Sequence, residues 1–142
     1  MGVGSDNLLV GTSNSETING GLGNDTLSGN GGTDVLIGGQ GDDQLGITDV
    51  DFARIVGGNG IDPLSLDGRG IILQLRNIAD NQLIGIERID LTGSGSNFLA
   101  VTHREVLNIS DESNTLVIDG TVADAIDIGL GWTLSSTETI GL

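Results

Sequence analysis

Four aspartates, Asp25, Asp34, Asp43 and Asp62, each stand five residues after a glycine that opens a glycine-rich stretch. The segments that carry them are Gly20–Ser28, Gly29–Ile37, Gly38–Gly46 and, after an interruption, Gly57–Ser65. All four are nonapeptides close to the form G-G-x-G-x-D-x-U-x, where U is a large aliphatic residue, with Asn30 in place of the second glycine in Gly29–Ile37. Carboxylates set among glycine carbonyls make an all-oxygen donor set, which suits hard Ca²⁺ rather than zinc or copper. Flexible six-oxygen geometry also fits Ca²⁺ better than the rigid octahedron that Mg²⁺ demands. Other chemistry has little support. His103 is the sole histidine, cysteine is absent and there is no G-x-S-x-G elbow, so no nucleophilic triad emerges. His103 reads as a turn residue and Trp132 as core or cap. Asp42 and Asp43 are adjacent carboxylates of the kind a glycosidase pairs, but the repeat already accounts for Asp43.

The elements that would position these aspartates follow from the repeat itself. Glycine permits backbone conformations closed to residues with a Cβ, so six residues can wrap a tight turn. The remaining three form a short strand whose central U side chain points inward. Two such units make an 18-residue coil, and stacked coils place equivalent turns about 4.8 Å apart. Asp25 then lies over Asp43 on one edge and Glu16 over Asp34 on the other. Glu16 and Ile18 hold the key places in Val10–Asn19, a looser ten-residue copy. Gly2–Leu8 fits the same frame and makes Asp6 a further candidate carboxylate. Carboxylates stacked this closely repel one another unless a cation lies between them; the alternative is a glycine–aspartate turn array with no metal.

Composition agrees with a long thin core. There are 25 glycines, two Phe, one Trp and no Tyr, so aromatic anchors contribute little burial. Twenty Asp and Glu stand against five arginines, a net charge of −15 that argues against nucleic acid as a partner. No apolar run approaches the roughly 18 residues of a membrane span, and the N-terminus lacks a basic-then-apolar leader. Met1 directly precedes repeat sequence and Leu142 follows no closing element, so the array is expected to belong to a longer polypeptide.

The nonapeptides resemble the RTX (repeats in toxin, hemolysin-type) family, most closely over Gly20–Gly46 and Gly57–Ser65. Gly85–Gly93 and Val106–Ser110 resemble the C-terminal region of large RTX adhesins and other exoproteins. The resemblance implies that one turn offers the carbonyls at motif positions two and four with its Asp. The turn 18 residues on offers the carbonyls at positions one and three with its own Asp. One site would use Gly21, Gly23 and Asp25 with Gly38, Gln40 and Asp43; the next, Gly39, Gly41 and Asp43 with Gly57, Asn59 and Asp62. On the opposite edge Thr12, Asn14 and Glu16 would face Gly29, Gly31 and Asp34. A site from Asp34 to Asp49 or Asp51 is a further option. Two-turn logic gives about three to five ions.

After Leu66 the glycines thin out but inward aliphatic pairs recur: Leu73/Leu75, Ile89/Leu91, Leu99/Val101, Leu107/Ile109, Leu116/Ile118 and Ile126/Ile128. A polar residue precedes each later pair by two: Glu87, Asn97, Glu105, Asn114 and Asp124. The expected fold is all-β, a parallel β-roll over residues 1–66 with calcium-binding turns. It continues over 67–142, within the same domain, as a metal-poor β-solenoid cap in which Asn97 and Asn114 stack. A separate β-sandwich is the rival. The expected function is calcium binding by a monomeric, non-enzymatic structural module of a type I-secreted exoprotein or adhesin, outside the cell or at its surface. The alternatives are a folding appendage of an exported enzyme, or an ice-binding roll. The last would need an outward Thr array, which Thr26, Val35 and Gln44 do not supply.

Overall fold

Alternation of inward aliphatic and outward polar residues in two- to six-residue strands dictates what is seen in the computed structural model, which describes residues 2–110 and 115–129. Two sheets take shape first. The strands β1 (Leu8–Val10), β3 (Thr26–Ser28), β5 (Gln44–Ile47) and β7 (Pro63–Leu66) stack side by side; β2 (Thr17–Leu22), β4 (Val35–Gln40) and β6 (Arg54–Asn59) form the second sheet. Leu27 pairs with Leu45 and Ile18 with Leu36, an 18-residue register; Leu45 pairs with Leu64 and Leu36 with Ile55, so those passes have 19 residues. The extra residue falls in the interruption before Gly57.

Beyond Leu66 each pass lengthens and a third sheet appears. Its strands are β8 (Ile72–Gln74), β11 (Phe98–Ala100) and β13 (Ala125–Asp127). A 3-10 turn (Leu75–Asn77) leads to β9 (Leu83–Ile84), which joins β6, while β10 (Arg88–Asp90) and β12 (Val117–Asp119) extend the first sheet. Every strand pairing among the described residues is parallel, unlike the antiparallel pairing that a sandwich uses. The inward residues of all three sheets meet in one apolar cluster. Leu27, Leu45, Leu64 and Ile89 line the first sheet, Leu36, Ile55 and Leu83 the second, Leu73 and Leu99 the third. No described helix is long and apolar enough to cross a membrane.

Several sequence expectations are corrected here. The Gly2–Leu8 frame is one residue off: Leu9, not Leu8, pairs with Leu27, and Leu8 is exposed. Asn7 therefore occupies the level of Asp25, and Asp6 lies beside Asn24. The expected strand pair Leu107/Ile109 is instead part of a helix, α1 (His103–Ile109), which buries Val106 and Ile109 and leaves Leu107 exposed. The i, i+3 spacing of two β-branched residues selects that face. Glu105 caps this helix by accepting from the Thr102 N–H at 2.7 Å, so it joins no stack. His103 is the exposed first residue of the helix rather than a turn residue. The helix lies against β9, and Ile86 N–H donates to the Ile109 carbonyl at 2.7 Å. Asn97 donates its N–H to Asp124 Oδ1 (2.8 Å), and its Oδ1 accepts from Ile71 N–H (2.9 Å). Its stacking partner is thus Asp124; Asn114 and Trp132 lie outside the described residues.

Candidate metal centre

Motif position one needs glycine for space. Gly20, Gly29, Gly38 and Gly57 do not have positive φ, yet a Cβ on any of them would stand 2.4–2.6 Å from the Oδ2 of the aspartate closing the same turn. Positions two and four need it for conformation as well: Gly21, Gly23, Gly39, Gly41, Gly58 and Gly60 have φ between 106° and 128°. The turn is thus a ring of backbone folded inward around a carboxylate.

Successive turns on this edge are tied by that carboxylate. Asp25 Oδ1 accepts from Asn7 N–H (2.7 Å), Asp43 Oδ1 from Asp25 N–H (2.7 Å), and Asp62 Oδ1 from Asp43 N–H (2.8 Å). Asp62 N–H in turn donates to Glu87 Oε2 (3.0 Å). Asp43 and Asp62 are wholly buried, Asp25 nearly so. Their second oxygens, Oδ2 of Asp25, Asp43 and Asp62, are buried without a hydrogen-bond partner. An unpaired buried carboxylate oxygen is costly, because solvation of the charge is lost with nothing to replace it. Burial, with the neighbouring acids adding to it, accordingly pushes the Asp62 carboxyl up to about 7 and raises Asp43 as well.

Backbone carbonyls converge on the same gaps. The Gly21 and Gly23 oxygens face the next turn, lying 2.2 Å from where Cβ atoms on Gly39 and Gly41 would be. The Gly38 oxygen faces back, 2.6 Å from a Cβ on Gly20, and the Gln40 oxygen accepts from Gly23 N–H at 2.9 Å. A carbonyl keeps a second lone pair after one such bond. The main-chain oxygens of Gly21, Gly23, Gly38 and Gln40 thus lie between the turns that Asp25 and Asp43 close. The next gap repeats it: the Gly39 and Gly41 oxygens face Gly58 and Gly60, Gly57 faces back on Gly38, and Asn59 accepts from Gly41 N–H at 3.0 Å. No group of three or more His, Cys, Asp or Glu side chains converges among the described residues, so a cation here must rely on two carboxylates and main-chain oxygens. That donor chemistry fits Ca²⁺.

The opposite edge is built differently. Glu16 N–H donates to Asp34 Oδ1 at 2.9 Å, so the two turns do stack. The Asn14 oxygen faces Gly32 and the Gly29 oxygen faces Gly11. Glu16, however, folds back onto its own turn, accepting from Thr12 N–H (3.0 Å) and from the Thr12 hydroxyl. Those bonds hold its carboxyl below the usual range, and both oxygens are already used. Beyond Asp34, neither Asp49 nor Asp51 takes the equivalent place. Ala53 does, its N–H donating to the Asp34 carbonyl at 2.8 Å, because the glycine-free segment spends its extra residue there. Asp49 instead leans toward Gly31, its Oδ2 3.7 Å from where a Cβ would be, and accepts from Asp51 N–H at 2.9 Å.

A second ladder escaped the sequence reading. Asn24 N–H donates to Asp6 Oδ1 (2.8 Å), Asp42 N–H to Asn24 Oδ1 (3.0 Å) and Ile61 N–H to Asp42 Oδ1 (2.8 Å). This outer rail runs along motif position five. Its signal was present as Asp or Asn at 6, 24 and 42, an 18-residue spacing.

The raised carboxyls give a pH prediction. In chelator, Asp62 titrates near 7 when folded and near 3.8 when unfolded, so between those values the folded chain holds more protons. The contribution of Asp62 to cation-free stability is then full below about pH 4 and is lost as pH rises through about 7. Circular dichroism in chelator should show more β signal at pH 5 than at pH 8. A signal that grows toward pH 8 would contradict this.

Residues 10–45 match the family model of the RTX calcium-binding nonapeptide repeat, in four copies. The match covers the Glu16, Asp25, Asp34 and Asp43 turns and stops before those of Asp62 and Glu87. No curated protein and no solved structure gives a significant match to the chain.

Proposed function

We propose, from residues 10–45 being RTX calcium-binding repeats, that the chain is a calcium-dependent structural module of an exported protein, a β-roll that widens into a metal-poor solenoid. The observation that carries this reading is the row of buried, partnerless Oδ2 atoms of Asp25, Asp43 and Asp62. Each lies within a cradle of main-chain oxygens. When bound, Ca²⁺ supplies the charge compensation that these carboxylates lack.

The chain's own residues do the rest. Gly21, Gly23 and Asp25 with Gly38, Gln40 and Asp43 hold one ion; Gly39, Gly41 and Asp43 with Gly57, Asn59 and Asp62 hold the next. Asp43 serves both. The Thr12, Asn14, Glu16 and Gly29, Gly31, Asp34 gap is the weaker third seat, because Thr12 already engages Glu16. Asp6 is not proposed as a ligand, since Asn7, not Asp6, stands at the level of Asp25.

Calcium-coupled folding suits export. A chain with 25 glycines and net charge −15 resists compaction until several ions bind, so it stays unfolded where calcium is scarce and folds outside the cell. Extracellular calcium modules bind at about 10⁻⁴–10⁻³ M. The inward aliphatic stack and the calcium-binding repeats of residues 10–45 support a structural rather than a catalytic role.

Isothermal titration tests the reading. Calcium is expected to bind at more than one site per chain with a large exothermic folding enthalpy, and magnesium at equal concentration to bind without it. Absence of calcium uptake, or equal responses to both ions, would overturn it.

A further inference from the structure

We infer that the chain holds one more cation seat than its nonapeptides encode, between the Gly57–Asp62 turn and the segment Gly85-Ile86-Glu87, with Glu87 as its closing carboxylate. The inference rests on the calcium reading above and extends it to a segment with no repeat motif.

The backbone register puts Glu87 there. Arg88 pairs with Pro63 and Ile89 with Leu64, so Glu87 stands at the level of Asp62. It is only 6 % exposed, and its Oε2 accepts from Asp62 N–H as Asp62 Oδ1 accepts from Asp43 N–H. Asp62 itself is wholly buried with Oδ2 partnerless. Main-chain oxygens follow the same rule as in the earlier gaps. The Gly85 carbonyl crowds the place of a Gly57 Cβ (1.8 Å), as Gly38 does for Gly20 and Gly57 for Gly38. The Gly58 oxygen lies 3.4 Å from a Cβ on Gly85, which has φ +65°.

The shorter turn explains the residue type. Gly57 to Asp62 spans five residues but Gly85 to Glu87 only two, so three turn residues are missing. A carboxylate brought in on a shortened loop needs one more methylene to reach the level that Asp holds elsewhere. With fewer main-chain oxygens, the seat would complete its shell with water, which Ca²⁺ accepts readily. Glu87 thereby ends the ion row where the chain changes from 18-residue and 19-residue passes to wider ones.

Two measurements on the full chain test this. In crystals grown with calcium, long-wavelength anomalous diffraction should give a peak between Asp62 and Glu87 in addition to those between Asp25 and Asp43 and between Asp43 and Asp62. Native mass spectrometry of Glu87→Gln, whose amide oxygen can still accept the Asp62 N–H, should count one calcium fewer than the parent. Peaks in the two nonapeptide gaps with none at Glu87, or an unchanged ion count in a folded variant, would overturn the inference and leave the calcium reading standing. No peak in any gap would overturn both. Should the variant fail to fold, the diffraction result on the parent chain decides.

Discussion

Asp43→Asn is expected to destabilise the protein strongly in calcium and to leave it no less stable in chelator. Asp43 borders two gaps, so losing its charge weakens two seats at once. An ion at a hundred times its dissociation constant stabilises the fold by about 2.7 kcal/mol, so two weakened seats remove up to about 5 kcal/mol at saturation. That is comparable with the whole stability of many domains. In chelator the sign changes. The wild-type carboxylate is buried, flanked by Asp25, Asp42 and Asp62, and has one oxygen unsatisfied. Asparagine keeps an oxygen to accept the Asp25 N–H while removing that buried charge. Denaturant titration in calcium reads the first effect, and circular dichroism in chelator, where the variant should show no less β signal than the wild type, reads the second. Equal destabilisation under the two conditions would show that Asp43 acts only as a turn residue.

Gly39→Ala should rank second in effect, and Gly70→Ala provides its control. Gly39 has φ +123°, and a Cβ there would stand 2.2 Å from the Gly21 carbonyl oxygen, one of the oxygens lining the first gap. Backbone strain of this kind costs about 1–3 kcal/mol, and displacing a carbonyl of the preceding turn adds to it. Gly70 has φ +68° with nothing within 4 Å, so alanine there meets only the modest left-handed penalty of about 1–2 kcal/mol. In saturating calcium the first variant should lose about 10 °C or more in Tm and the second roughly 3–5 °C. The calcium midpoint should rise only for Gly39→Ala. Equal shifts in both variants would mean that the turn does not depend on close approach of successive backbones.

The nonapeptide half was legible because every level of its physics points the same way. Glycines at positions one, two and four, an acid at six and an aliphatic at eight define turn, register and core together; the stacking of Asp25 on Asp43 follows by counting 18 residues, and that of Asp43 on Asp62 from the motif in Gly57–Ser65 despite a 19-residue pass. Legibility failed where one residue more or less changes the count. Leu8 and Leu9 are equally apolar, so only pairing with Leu27 decides that Asn7 rather than Asp6 meets Asp25. The acids at 49 and 51 drew attention by chemistry, whereas the register of β6 depends on where an added residue is absorbed.

In the second half the alternation of Leu107 and Ile109 predicts a strand where the chain forms a helix. Thr102-His103-Arg104-Glu105 carries a capping-box pattern that outweighs two alternating residues, and Val106/Ile109 supply the helical face. Asn97 was recognised as a stacking residue, but its partner is Asp124, 27 residues on, because passes in this half are longer than 18. The length of those passes is set by loops whose residues carry no periodicity to count.

Far-UV circular dichroism at pH 7.5, in chelator and then in 5–10 mM calcium, addresses the central claim most directly. Acidic turns stacked on one edge should fail to assemble without a cation between them, so the spectrum should change from coil to β as calcium is added and revert with chelator. A β spectrum already complete in chelator at that pH would contradict the account, because buried, partnerless carboxylates would then be tolerated with no ion to balance them.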